Sequence, residues 1–242
     1  MSERRIPWGR LAAEFVVIVI GVLVALGADA WWSQQGDRDE ERAGLQLILA
    51  DLEADTALIQ EFIGYARGHD RAAATFLRYG DDPPGMDSVA TTLRSFLFGN
   101  LPGLRQAGFL SLREGGRLSL IQDPELRFRI MSYYSEDQPE TQRWLEEHWE
   151  RYNVFIDYWG RHLRAPRPRS TDSSWPLTGP VVVVSPWSAI RADLEFDAQA
   201  LKVGAAAAIA ILVAEGLLES NRELQGAIRE ELGWAPENPS PR

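Results

Sequence analysis

The chain has 242 residues, of which 45% are hydrophobic and 25% are charged, the proportions of a folded protein. Its 35 acidic residues outnumber its 25 basic residues, and the formal charge of −10 argues against a protein that binds nucleic acid through a basic face. Because the chain contains no cysteine, disulfides, thiol catalysis and iron–sulfur clusters are excluded.

The first predicted element is an apolar helix near the N-terminus. Residues 11–28 contain eleven Leu, Ile, Val or Phe side chains and one charged residue, Glu14. Trp8 precedes this run, and Trp31 and Trp32 follow it, which is typical of aromatic residues at the two interfaces of a bilayer. At about 1.5 Å per residue, the run and its flanking tryptophans can cross a hydrocarbon core of about 30 Å. We therefore expect a transmembrane helix.

The predicted boundaries place a cytoplasmic tail at residues 1–10 and the transmembrane helix at residues 11–32. Arg4, Arg5 and Arg10 lie before the apolar run, and this bias favours an N-terminus inside the cell. The expected location is the inner membrane of a bacterium, with a single pass and the C-terminal domain in the periplasm.

A cleaved signal peptide is the alternative interpretation of the same segment. Ala28, Asp29 and Ala30 resemble a cleavage site of the A-x-A type, and the arginines before the run resemble the basic start of a signal peptide. Glu14 at the head of the apolar run and the tryptophan pair directly after the site argue against cleavage.

One face of the predicted membrane helix is suited to helix packing. Glu14, Ile18, Gly21, Ala25 and Ala28 follow one another at alternating steps of four and three residues. Gly21 and Ala25 form a small-xxx-small pair that lets two backbones approach, so we expect the chain to form a homo-oligomer through this anchor. In the other interpretation, Glu14 lies near the interface and pairs with the arginine four residues before it.

The region from residue 33 to 164 is predicted to be a helical domain, because its apolar residues recur with the helical period. The predicted helices cover at least residues 37–66, then 87–98, 106–114, a helix capped by Asp123 with Pro124 at its first position, and 139–163. A Pro- and Gly-rich turn at residues 80–85 separates the first two.

The helix over residues 139–163 carries the clearest pattern, an aromatic seam that predicts contact with another helix. Its members, at alternating steps of four and three residues, are Leu145, Trp149, Tyr152, Ile156, Trp159 and Leu163. His148 is predicted to be a polar residue at the flank of this seam.

The last third of the chain is predicted to be a connection and one long helix. Residues 165–187 are rich in Pro and Ser and contain one strand-like run, 181–184. The segment of residues 188–232 is predicted to form one long helix that begins near Asp193. Residues 233–242 are predicted to be a disordered tail. Its predicted packing residues are Leu201, Leu212, Leu217, Leu224 and Ile228. A second membrane span is not expected, because the uncharged run 203–214 is too short.

The predicted fold class is all-α: one transmembrane helix continuing into an antiparallel bundle, with at most one short strand.

No known catalytic motif is present, and we expect no cofactor, no metal and no enzymatic activity. Asp51 and Asp55, one helical turn apart, could bind a cation or act as a base, but paired acids on helices are usually solvated. His69 and Asp70 form an HD dipeptide, but the corresponding metal phosphohydrolases need a further upstream histidine, and none precedes residue 69.

Two blocks of sequence resemble a bacterial family of single-pass membrane proteins that carries a domain of unknown function. The first block comprises Glu14, Phe15, Gly21, Val22, Leu23, Ala25, Leu26, Trp31, Trp32, Leu49, Asp51, Leu52 and Asp55. The second comprises Gly116, Leu118, Leu120, Ile121, Asp123, Leu126, Arg127, Tyr133 and Tyr134. Members often have two serines before the glycine of the second block, where this chain has Glu114 and Gly115. The resemblance implies a membrane anchor and a helical domain, and it carries no activity.

These observations favour a membrane-anchored helical interaction or scaffold module, with the lipid bilayer, a second copy and an unknown protein as partners, and no nucleic acid. The alternative is an extracytoplasmic ligand-sensing or carrier domain with an aromatic-lined pocket between helices. A third interpretation is an unrecognised enzyme that uses Asp51, Asp55, Glu150 or His148.

Overall fold

The computed structural model describes residues 8–82, 85–164 and 182–234, with side chains for all of these except residues 8–14 and 17. The helices are α1 (Trp8–Tyr79), α2 (Met86–Phe96), α3 (Ala107–Glu114), α4 (Pro124–Ser132), α5 (Gln138–Gly160), α6 (Trp187–Arg191) and α7 (Leu194–Glu231). Two short strands, β1 (Leu163–Arg164) and β2 (Val182–Val183), pair antiparallel. The all-α prediction is confirmed, but the expectation of at most one short strand is wrong, because residues 163–164 supply a pairing partner for the strand at 182–183. Residues 1–7 of the predicted 1–10 tail, most of the 165–187 connection and residues 235–242 of the predicted 233–242 tail lie outside the described residues, and residues 8–10 belong to α1.

Helix α1 is a single element of 72 residues. No proline interrupts the sequence between Trp8 and Tyr79, so the helix predicted over residues 11–32 and the one predicted from residue 37 are continuous. The helix ends at Gly80, whose φ of 52° is the left-handed conformation that glycine adopts at helix C-termini. The first part of α1 therefore extends from the bundle as a rigid rod.

Helices α1, α5 and α7 form the centre of the bundle. Helix α5 runs parallel to α1, since Gln138 at its start lies beside Asp55 and Trp159 near its end packs on Phe76. Helix α7 runs antiparallel to both, because Gly204 near its start lies against Ala73 and a residue near its end, Gln225, bonds the backbone of Leu52.

Each of the three central helices buries one seam with alternating steps of three and four residues, the pattern of a coiled coil. On α1 the seam comprises Leu45, Ile48, Leu52, Asp55, Ile59, Phe62, Ala66, His69, Ala73 and Phe76. On α5 it comprises Thr141, Leu145, His148, Tyr152, Phe155 and Trp159. On α7 it comprises Phe196, Ala200, Val203, Ala207, Ala210, Ala214, Leu217, Asn221, Leu224 and Ile228. Polar residues thus occupy core positions on all three helices.

The buried face of α5 differs from the predicted aromatic seam. Trp149, Ile156 and Leu163 are half-buried, while Phe155 and His148 occupy the core. The prediction that His148 lies at a polar flank is therefore wrong. Side chains of α1, α2 and α7 all contact α5, so its buried face is wider than a single seam and is centred on different residues than the sequence pattern suggests.

The packing face of α7 also differs from the prediction. The sequence pattern predicts that Leu201 and Leu212 pack on the bundle, but their side chains are 63% and 70% exposed. Alanines and Gly204 form the buried face instead, because small side chains let the backbones of α1 and α7 approach; a Cβ at Gly204 would lie 3.3 Å from that of Ala73. Leu201 and Leu212 consequently face away from α1.

By length and composition, helix α7 is long and apolar enough to cross a membrane. One third of the most apolar 18-residue stretch of α7 is buried against other parts of the described structure. A core helix of a bundle meets the same length and composition criteria, and α7 packs along α1 and α5 as such a core helix.

Helices α2 and α3 pack on α1, and the shorter elements follow local sequence signals. Asp123 caps α4 as predicted, its carboxylate accepting from the backbone N–H of Glu125 at 2.8 Å. A π-helical turn, Tyr133–Asp137, joins α4 to α5, and the sequence pattern predicts neither this turn nor α6.

Helix α3 approaches α1 so closely at Gly108 that no side chain fits there. A Cβ at Gly108 would lie 2.8 Å from the amide nitrogen of Ile48. We expect Gly108→Ala to lower the free energy of unfolding by about 2 kcal/mol, because backbone must move to admit the methyl group. The matched control is Gly64→Ala, where the added Cβ meets nothing within 4 Å. Urea denaturation should show the control to be more stable than the parent by up to about 1 kcal/mol; equal effects at the two glycines would contradict the close approach.

Candidate functional site

Polar side chains form three groups between the central helices. The first, the histidine pair, consists of His69 on α1 and His148 on α5, each 1% exposed. The second, the carboxylate cluster, consists of Asp51 and Asp55 on α1 together with Gln138 at the start of α5. Buried polar groups need hydrogen-bond partners, and these partners define what each cluster does.

The histidine pair is a directed chain of hydrogen bonds. The carbonyl oxygen of Phe98 lies 2.7 Å from His69 Nε2, so this nitrogen carries the proton and donates. His69 Nδ1 is then an acceptor, and His148 Nε2 donates to it across 3.1 Å. His148 Nδ1 is left unprotonated and has no partner among the described residues. The tautomers follow from this network of partners.

Aromatic rings enclose the pair. Tyr152 stacks on His69 with ring centroids 4.5 Å apart, and Phe96 lies at 4.8 Å. Burial in this apolar environment lowers the pKa of His69, and it lowers the pKa of His148 to about 4, the nearby His69 adding to the effect. Both imidazoles are therefore neutral at pH 7.

The carboxylate cluster holds the loop between α2 and α3 against the bundle. Both carboxylate oxygens of Asp55 accept from the backbone N–H of Arg105, at 3.0 and 3.1 Å, and Gln138 donates to one of them at 3.4 Å. Asp51 accepts from the N–H of Gly108 at 2.7 Å and so binds the free N-terminus of α3. The two acids act as caps for neighbouring backbone rather than as a solvated pair.

Burial raises the pKa of Asp55 to about 6, and the charge of Asp51 contributes, while the hydrogen bond from the Arg105 backbone opposes the rise. An acid with this pKa can act as a proton acceptor near neutral pH. However, Asp55 is 0% exposed, and its oxygens already contact protein donors. The arrangement stabilises a loop and offers no access to a substrate.

A third group of polar side chains links α1 to α7 beside the π-helical turn. Gln225 donates to the side-chain oxygens of Asn221 and Thr56, at 2.6 and 2.8 Å. Asn221 in turn donates to the hydroxyl of Tyr133 at 3.1 Å. A buried polar side chain at a core position of a coiled coil sets the register of its helices, and this network is suited to that task for the antiparallel pair.

The other predicted site residues lie apart from these clusters. Ile18, Gly21, Ala25 and Ala28 are exposed on the free part of α1, and the side chain of Glu14 lies outside the described set. In the aromatic seam, Tyr152 and Trp159 are buried and Trp149 is half-buried. Across the described parts of the chain, no three His, Asp or Glu side chains are placed to hold a metal ion.

Sequence reasoning considered His69 only as part of an HD dipeptide, and it gave Tyr133, Asn221 and Gln225 no role in a polar network. Their signal was present, because His69 and Asn221 continue the three-and-four spacing of the apolar residues on their helices. A polar residue at such a position is either buried with a hydrogen-bond partner or interrupts the apolar spacing. The sequence alone does not identify the partner.

Comparison of the chain with protein-family models, with curated proteins and with solved structures found no match.

Proposed function

We propose that this protein is a membrane-anchored helical interaction module, in which α1 connects the anchor rigidly to the bundle. The observation that carries the proposal is the continuity of α1: its first part has exposed apolar side chains, and its last part supplies the central seam of the bundle. Phe15, Ile18, Leu23 and Leu26 are each more than 60% exposed. Burying such a run in lipid is favourable by several kcal/mol on the insertion scale.

The proposed location follows the basic residues at the N-terminus: the inner membrane of a bacterium, with the N-terminus inside and the bundle in the periplasm. A C-terminal alkaline phosphatase fusion, which is active only outside the cytoplasm, tests the orientation. Carbonate extraction tests the anchor, and we expect the chain to remain in the membrane pellet. A chain that begins at Trp31 and is recovered in the soluble fraction would instead indicate a cleaved signal peptide.

The aromatic packing favours an interaction module over a carrier with an aromatic pocket. Trp159 and Phe155 are 0% exposed, and Phe76 packs against both rings, with centroids 5.0 and 6.1 Å away. These rings fill the space between the helices. The interaction would then use the outer surface of the bundle. A pull-down in mild detergent tests this part of the proposal, and we expect it to return a stoichiometric protein partner. A small molecule that co-purifies with the bundle in place of such a protein would favour the carrier.

The anchor is proposed to associate through the face that contains Glu14, Gly21 and Ala25. We expect Glu14→Ala or Gly21→Leu to shift the detergent-solubilised oligomer toward monomer, because each change removes a polar contact or the close approach of backbones. Gly27→Leu is the matched control, since Gly27 also has open space around it and lies on the opposite side of the helix. Light scattering measures the mass; an unchanged mass for both variants would contradict this interface.

A further inference from the structure

The outer face of α7 carries a second apolar seam that nothing in the described structure covers. Its members are Leu194, Ala198, Leu201, Ala205, Ala208 and Leu212, all exposed and spaced by alternating steps of four and three residues. Leu194 is 91% exposed and Leu212 is 70% exposed. At about 100° per residue, this outer seam lies on the side of α7 opposite the buried seam.

The packing among the described residues of one chain does not explain this combination. A surface helix normally presents polar residues to solvent, yet between Asp197 and Glu215 the only charged residue of α7 is Lys202. The outer seam extends over roughly 27 Å of helix at about 1.5 Å per residue. A continuous exposed apolar surface of this kind marks an interaction site.

We propose that the outer seam of α7 pairs with the same seam of a second copy of this chain, as a parallel, in-register two-helix coiled coil. The three-and-four spacing is that of the core positions of a coiled coil. In a parallel pair each member of the seam meets itself, so leucine faces leucine and alanine faces alanine. The alanines at the centre allow close approach of the two helices.

Charge complementarity favours the second copy in this orientation. With Leu194 and Leu201 at the d positions, Asp197 is a g position and Lys202 is the e position five residues later. In parallel coiled coils the g residue of one helix pairs with that e residue of its partner, so two Asp197–Lys202 contacts form across the interface. Lys202 is exposed and has no ion pair with any described residue of its own chain. Asp197 forms an ion pair with Arg191 of its own chain and is still 50% exposed, so its carboxylate can also contact Lys202 of a second copy.

The parallel direction also rests on the proposed membrane anchor. An anchor that inserts in one direction orients every copy alike, so the outer seams of neighbouring copies lie at the same height above the bilayer. Confinement to a membrane raises the effective concentration, and this allows a short interface to form. The seam includes the part of α7 around Gly204, which lies against Ala73 of α1, roughly 60 Å above Trp32 at about 1.5 Å per residue, so it is a separate contact from the one proposed within the membrane.

The absence of cysteine from the natural sequence makes a cross-linking test simple. In membranes that contain the full chain, single Leu201→Cys, Ala205→Cys and Leu212→Cys variants are oxidised mildly and analysed for covalent dimers. Thr91→Cys is the matched control, exposed on α2 and outside the outer seam. We expect at least about fivefold more covalent dimer from the seam variants than from the control, because like positions meet in a parallel pair. Equal yields from all four variants, or no dimer from any, would overturn the proposal.

A charge swap tests the orientation. In the Ala205→Cys background, Asp197→Lys places like charges across the interface, and so does Lys202→Asp; each is expected to reduce the dimer yield about fivefold. The double swap should restore it. A double swap that stays as low as the single changes would overturn the parallel arrangement.

The same variants separate this proposal from the anchor and from a lipid contact. If carbonate extraction releases the chain and the Ala205→Cys variant still cross-links, the anchor fails while the α7 interface stands. If the chain stays in the membrane and the seam does not cross-link, the α7 interface alone fails. If the thiols of the seam variants do not cross-link but are protected from a water-soluble maleimide, lipid covers the seam. That result would overturn the pairing.

Discussion

Acidification from pH 7 to pH 4 is expected to lower the free energy of unfolding of the full chain by about 3 kcal/mol relative to a His148→Gln variant. Burial and the neighbouring His69 hold the pKa of His148 at about 4 in the folded chain, against about 6.5 when it is exposed. Below pH 6.5 the unfolded chain therefore takes up a proton that the folded chain does not, and the equilibrium moves toward unfolding. The stability is present above pH 6.5 and is lost as the pH falls toward 4.

Burial opposes the first added proton, and the geometry of the pair excludes a second. Each of its two hydrogen bonds needs one donor and one acceptor, and His69 already donates from Nε2 to the Phe98 carbonyl. A first added proton can go to His148 Nδ1, which has no partner among the described residues, and both hydrogen bonds are then kept. A second would leave two N–H groups facing each other across 3.1 Å.

Urea denaturation of the detergent-solubilised chain at several pH values measures this difference. Glutamine is the appropriate replacement, because it keeps a donor near His69 and does not titrate. We expect the stability of the parent relative to the variant to fall steadily between pH 6.5 and pH 4. Parallel curves for parent and variant across that range would show that the pair does not control acid stability.

Asp55→Asn is expected to become more stable relative to the parent by about 3 kcal/mol as the pH rises from 3.5 to 7. Burial raises the pKa of Asp55 from 3.8 to about 6. Above pH 3.8 the unfolded chain loses the Asp55 proton first, so raising the pH favours unfolding until the folded chain also ionises near pH 6. The stability that protonated Asp55 contributes is present below pH 3.8 and is lost as the pH rises through 6.

The comparison of the two pH values cancels effects that do not depend on pH. An asparagine at residue 55 keeps an acceptor for the Arg105 N–H but places a donor near Gln138, and that cost is the same at every pH. The same denaturation series therefore tests both clusters, with opposite signs. A difference between Asp55→Asn and the parent that stays constant from pH 3.5 to pH 7 would contradict the raised pKa.

Together, the two clusters are expected to shape the pH dependence of the bundle. The histidine pair favours the folded chain at neutral pH, and Asp55 favours it under acid conditions. Both clusters reach backbone of the segment between α2 and α3, through Phe98 and Arg105. A change of protonation in either cluster therefore alters a hydrogen bond that holds this segment.

Much of the helical structure follows from local signals. The spacing of apolar residues locates α3, α5 and α7 to within a few residues, and Asp123 with Pro124 marks the start of α4 as expected. Helix boundaries depend on caps, glycines and prolines that act within one turn, so they can be recognised without tertiary contacts. The π-helical turn has no such signal, and neither does the pairing of β1 with β2.

The candidate polar residues show where this reasoning ends. The spacing of Asp51 and Asp55 identifies them as a pair, but their roles depend on the amide groups of Gly108 and Arg105, which lie 57 and 50 positions further along the chain. The pattern on α5 predicts that His148 lies at a flank, but this residue lies in the core. Its hydrogen-bond partner, His69 on α1, is 79 residues away in sequence, and the pattern of α5 carries no information about it.

By itself, the sequence determined the helical class, the apolar N-terminal run and the positions of most helices, because side-chain periodicity and capping are local properties. Only the tertiary structure decided which face of each helix is inside. Leu201 and Leu212 are hydrophobic enough for a core, yet alanines take the buried face of α7 because they allow the closest approach to α1. The burial of a side chain depends on what packs against it, and for α7 that choice leaves an apolar seam facing outward.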